Sequence, residues 1–164
     1  MAEPLEGWTD FNVAMVGATA ALAGLLIVAM SVNIAEIMKS PTLLARAAAS
    51  VAALVLAIAL GALCLVPGQS AIVYGIEVLV GAAIATVFQV HAIRVVMREE
   101  PIAMTDRIAK SALGVLPISA FAIGGVLVAV GLASAGLVAV AFGAILAVIA
   151  AIVMAWVVLV EVLR

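Results

Sequence analysis

Glu77 is the side chain whose position most needs a chemical explanation. It lies in a long apolar run, about two helical turns beyond the sequence Pro67-Gly68-Gln69-Ser70. An ionised carboxylate in hydrocarbon costs upward of about 2.5 kcal/mol. Two roles would justify that cost. The acid carries a proton or cation, or it is a neutral group hydrogen-bonded across helices. At helical spacing Tyr74, Glu77, Gly81, Ile84, Phe88 and His91 share one broad face. Tyr74 and His91 are therefore the candidate companions of Glu77 in moving a proton or ion. His91 is the only histidine, and the chain has no HxxxH or HExxH spacing. Cys64 is the only cysteine and sits in an apolar run, so neither a disulfide framework nor a metal centre is expected.

A second set of polar residues falls toward the other ends of the apolar runs. Asn33 and Glu36 lie three apart on one helix face. Gln89 and His91 occur at a similar depth in a later run, and Trp156 and Glu161 in the last one. Brought together, they would form a polar vestibule suited to proton relay. Kept apart, they are ordinary interfacial hydrogen-bonding groups. No nucleophile elbow, phosphate loop or paired intramembrane aspartate occurs, so an enzyme is the least expected class and no cofactor is implied.

Lipid must surround the elements that position these residues. Of 164 residues, 69% are hydrophobic and 10% charged, with a mean hydropathy of +1.48. A soluble domain is about half apolar and a quarter charged. The net charge of −2 gives no reason to expect nucleic acid as a partner. The N-terminus is acidic (Glu3, Glu6, Asp10), unlike the basic start of a secretory signal, so no cleavable signal peptide is expected.

Helix length divides the chain. The first candidate span runs from Phe11 to Ile34, with Thr9 or Asp10 as N-cap. Ser40-Pro41 reads as a cap followed by proline in the first turn, opening a span from Leu44 to Val66. From Ala47 to Ile93 only Glu77 and His91 are ionisable apart from Cys64 and Tyr74. As one helix that stretch would be ~70 Å long, against ~30 Å of hydrocarbon. It must therefore fold back at Pro67–Ser70, where Ser70 caps a third span from Ala71 to Ile93. Ser111 to Val160 carries no charge and is likewise too long for one crossing. A break at Gly131–Gly136 gives spans from Ala112 to Val130 and from Leu137 to Leu159. Pro117 and Gly124-Gly125 are expected to soften the fourth. Thr105 or Asp106 is its expected cap, after a loop bent at Pro101.

Charge placement supports the same division. Lys39, Arg46, Arg94, Arg98, Arg107, Lys110 and Arg164 are all seven basic residues, and a five-span arrangement puts every one on a single side. The positive-inside rule makes that side cytoplasmic. The expected protein is an all-α bundle of five transmembrane helices, one domain over residues 1–164, with the N-terminus outside and the C-terminus in the cytoplasm. Small-residue stripes, Ala14, Gly17, Ala21 and Gly24 in the first span and Ala139, Gly143, Ala147, Ala151 and Ala155 in the fifth, are read first as packing surfaces within the chain. Joining subunits is their other use.

Several of these stretches resemble the spans of small bacterial multipass membrane proteins that are often labelled modulators of the protease FtsH. They are Val16 to Asn33, the Val66-Pro67-Gly68-Gln69 turn, Gly75-Ile76-Glu77, and the ending Ala155 to Arg164. The seven-span Bax-inhibitor type of modulator carries paired aspartates that this chain lacks, so no catalytic residue is carried over. The resemblance implies a bacterial cytoplasmic membrane. It also draws notice to Ser31, Asn33, Gln69, Glu77, Trp156 and Glu161. Two functions are expected from all this. One is a non-enzymatic interaction, assembly or regulatory module whose partners are lipid, a second copy of itself or another membrane protein. The other is a small oligomeric proton or cation channel using Glu77.

Overall fold

The computed structural model of the chain describes residues 5–98 and 104–162, with side chains for 5–98 and 111–160. Six helices follow one another: α1 (Thr9–Val32), α2 (Ile34–Ile37), α3 (Pro41–Cys64), α4 (Ala71–Arg98), α5 (Met104–Ala129) and α6 (Ala133–Val162). Five of them, all except the single turn α2, are long and apolar enough to cross a membrane. No strand occurs among the described residues.

Local chemistry sets most of the ends. At the start of α3 the Ser40 hydroxyl accepts from the Leu43 N–H at 3.2 Å, with Pro41 in the first turn where a missing N–H costs nothing. Between α3 and α4 the chain reverses through Gly68 at φ +69°. The Ser70 carbonyl then accepts from Tyr74 N–H at 3.0 Å, the first bond of α4. The end of α5 is a Schellman closure. Leu132 N–H donates to the Leu127 carbonyl at 2.8 Å, and Gly131 N–H to Val128 at 3.0 Å. Gly131 takes φ +91°, which a β-carbon would oppose. The turn is shorter than the expected 131–136 break, because Gly131 alone reverses the chain and Ala133 already begins α6.

Other boundaries differ from the sequence reading. Thr9 does not cap α1; its hydroxyl donates to the Glu6 carbonyl at 2.9 Å, closing a 3₁₀ turn over Glu6–Trp8. Thr105 and Asp106 lie inside α5 rather than before it. The helices α4, α5 and α6 extend past the apolar spans, because a backbone leaving hydrocarbon keeps its hydrogen bonds into the interface. Glu99, Glu100 and Pro101 lie outside the described residues.

The spanning helices close a ring in the order α1, α3, α4, α5, α6, with α3 also packed on α6 and α5. Glycines set the tightest crossings. A β-carbon on Gly75 of α4 would come within 2.7 Å of the Ala129 backbone N of α5. One on Gly124 would meet the Gly136 carbonyl at 2.8 Å. Thus Gly124 faces α6 while its neighbour Gly125 faces Val78 and Leu79 of α4. α5 runs as one continuous helix through both glycines, which give it close contact on two sides.

The two small-residue stripes have opposite fates. On α6, Ala147 and Ala151 are fully buried, and Gly143 packs on the Phe121 ring. On α1 the expectation of intramolecular packing fails. Ala14, Gly17, Ala21 and Gly24 are all exposed, and Asn12, Thr19, Ala23 and Leu26 take the inward face. Leu26 fills more of the space against α3 and α6 than a small residue would, and it has no exposed surface.

Candidate functional site

Three polar groupings sit among the helices, and only one contains Glu77. Gln69, in the turn before α4, donates its side-chain amide to the Glu77 carboxylate. The pair is partly buried, and the Gln69 carbonyl oxygen has no protein partner. Glu77 is thus held by a donor from the turn that precedes its own helix. It lines neither of the two principal cavities of the bundle.

Tyr74, one turn nearer that turn, points into the core and is 1% exposed. The Cys64 thiol lies near its hydroxyl, with the Asn12 side chain also beside the thiol. The Asn12 amide donates to the Trp8 carbonyl at 2.9 Å. This small network links α1, α3 and α4 near the turn shared by Cys64 and Tyr74. Cys64 and Asn12 are residues that sequence reasoning did not place there. Cys64 is a lone thiol in an apolar run and Asn12 closes the polar Thr9-Asp10 start of α1, which was the available signal.

The face that begins at Tyr74 does not stay inward. Tyr74 is buried and Glu77 half-buried, whereas Ile84, Phe88 and His91 are exposed. His91 is therefore far along α4 from Glu77 and not folded over it. No group of three His, Cys, Asp or Glu side chains that would hold a metal occurs among the described residues.

The residues expected to form a vestibule are dispersed. The Asn33 amide donates to the Ala29 carbonyl at 2.9 Å, within its own helix region. Glu36 pairs with Lys39 at 2.7 Å in an exposed ion pair, a contact of small energetic weight. Trp156 is 64% exposed and faces away from the bundle. Glu161 is in α6, but its side chain lies outside the described residues. Of the members whose side chains are described, only Gln89 is buried.

Gln89 enters a grouping of its own. It is 7% exposed, and its amide donates to the Ser111 carbonyl of α5 at 3.3 Å. Gly114 makes this crossing geometrically feasible, since a β-carbon there would come within 2.3 Å of the Gln89 side-chain oxygen. Beside it is a cavity of about 40 Å³ where α3, α4, α5 and α6 meet, bordered by Arg46, Ser50, Gln89, Ser111 and Pro117. A lone buried hydroxyl costs about 1–3 kcal/mol, so the placement of Ser50 and Ser111 beside this cavity is a substantial expense.

A second cavity is different in kind. It is an apolar groove of about 820 Å³ between α1 and α4, floored by Ala48, Ala52 and Leu56 of α3. Among the described residues the geometry offers hydrogen bonding and helix contact. Comparison of the chain with protein-family models, curated proteins and solved structures found no match.

Proposed function

We propose that this chain is a non-enzymatic, multi-pass protein of the bacterial cytoplasmic membrane, with its N-terminus outside, that acts by docking against another membrane helix. The docking helix belongs to a second copy or to a different membrane protein that this chain assembles with or regulates. The observation that carries the reading is the outward face of α1. Ala14, Gly17, Ala21 and Gly24 present small residues away from the bundle, and nothing lies within 4 Å of a β-carbon built on Gly17 or Gly24. Small residues let two helix backbones approach closely where lipid supplies no hydrophobic drive. A helix with no need of close approach gains more from larger side chains against lipid. The orientation rests on the one-sided placement of Lys and Arg.

Gly17→Leu and Gly24→Leu test this, because both positions have room and the bundle should fold unchanged. Crosslinking in membranes should trap a homo-oligomer or a membrane-protein partner with wild type and much less with either variant. A wild-type chain that stays monomeric in lipid nanodiscs and retrieves nothing would sink the reading. The alternative, an oligomeric proton or cation channel using Glu77 with Tyr74 and His91, draws less support. Its carboxylate is engaged by Gln69, and the three side chains are spread from core to surface.

A further inference from the structure

The cavity beside Gln89 has the chemistry of a binding site. Serine and threonine in a helix ordinarily return their hydroxyl to a carbonyl three or four residues earlier. Thr19, Ser31, Thr86 and Ser119 all do so, at 2.6–2.8 Å. Ser50 and Ser111 do not. Both Oγ atoms are shielded from solvent, have no protein partner, and belong to residues bordering the cavity. A further acceptor is available. Pro117 has no N–H to give the carbonyl of Leu113, four residues earlier, and Leu113 also borders the cavity. Four alanines and Gly114 keep the space open between the larger Ile93, Val96 and Met154.

We propose that this cavity is a binding site for ordered water, which bridges the Ser50 and Ser111 hydroxyls and bonds the Leu113 carbonyl in place of the missing Pro117 N–H. Size supports this ligand. The cavity measures about 40 Å³, and one water needs roughly 10–15 Å³. The partners fit as well, since a buried water takes two to four hydrogen bonds and both hydroxyls can donate or accept. The described lining contains no carboxylate, so it offers a cation no charged ligand. The bound water joins α3 to α5 beside the place where Gln89 joins α4 to α5. It thereby ties three helices together. The site is independent of the α1 docking face and would stand if that reading failed.

The sign of a stability change separates a wet site from a dry one. With bridging water, Ser50→Ala and Ser111→Ala each remove a partner and lower the apparent Tm by roughly 2–4 °C. The double variant then falls by less than the sum, because both serines bind the same water. In a dry cavity each substitution deletes an unpaired hydroxyl, so Tm stays level or rises, which overturns the proposal. A direct readout is X-ray hydroxyl-radical labelling in vesicles. Met154 borders the cavity at 3% exposure, while Met38 is 62% exposed and serves as the accessible control. Water in the cavity labels Met154 in wild type, and labelling drops at least several-fold in the double variant. Met154 that remains unlabelled beside a labelled Met38, or is labelled equally in both proteins, overturns the proposal. A saturable rise in Tm on replacing choline by sodium, lost in the double variant, would assign the site to a cation instead.

Discussion

Gly124 of α5 and Gly136 of α6 meet backbone against backbone. A β-carbon on the first would reach the carbonyl of the second at 2.8 Å, and the reverse contact would be 2.7 Å. Neither obstacle is the flexible end of a side chain, so neither can move aside without shifting a helix. Gly124→Ala and Gly136→Ala should each destabilise the bundle by about 1–3 kcal/mol, the ordinary cost of overpacking. Unfolding titrations in mixed detergent micelles measure this, and an unchanged midpoint in both variants would contradict the close crossing.

Gln69 and Glu77 fasten the turn before α4 to the helix itself. Gln69→Leu removes the donor and leaves a half-buried carboxylate without it. A loss of about 1–3 kcal/mol is expected, the usual cost of leaving a buried polar group without its partner. If Glu77 serves this structural purpose, wild type and Glu77→Gln in liposomes both pass protons no faster than empty liposomes. A proton flux present in wild type and abolished by Glu77→Gln would restore the channel reading.

Cys64 is the sole cysteine and is buried beside Tyr74. A membrane-permeant maleimide should label folded wild type slowly and label denatured protein fully. Tyr74→Ala vacates a fully buried ring and should cost about 3–5 kcal/mol, the usual result of truncating a large aromatic in a core. Labelling of Cys64 should accelerate in that variant. Equal rates in native and denatured wild type would show that the thiol is not enclosed.

The turns allow a direct measurement of orientation. In a Cys64→Ser background, Leu132→Cys places a thiol in the exposed α5–α6 turn, and Met38→Cys places one at the opposite end beside Lys39. An impermeant thiol reagent applied to intact cells should modify the first and spare the second. The opposite pattern would invert the proposed topology.

The number of crossings was legible before any coordinates, and so were three of the helix-ending devices. Helix length against bilayer thickness is a one-dimensional property of the chain, and so is the position of each Lys and Arg. Ser40-Pro41, Gly68 and Gly131 act through backbone conformation within a few residues, which local sequence encodes. The inward face of each helix was not legible in the same way. In a soluble helix, polar residues mark the face turned from the core. Here lipid is as apolar as the interior, so that contrast is absent. This is why the α1 stripe of Ala14, Gly17, Ala21 and Gly24, read from the sequence as packing within the chain, turned outward, whereas the similar stripe on α6 turned inward.

The polar sites show the same division. The sequence by itself identified Glu77 as a costly residue within an apolar span, because the cost depends only on depth in hydrocarbon, and placed Gln89 in a polar set near the span ends. Tertiary structure alone decided what answers each of them. Gln69 folds back onto Glu77. Gln89 reaches across to Ser111 over the bare backbone of Gly114. Asn33 and Glu36 are partnered within their own segment, while His91 and Trp156 face outward, each according to its angle around its own helix axis. That angle is fixed by which glycines and alanines allow neighbouring backbones to touch, a property of pairs of helices that no single segment contains.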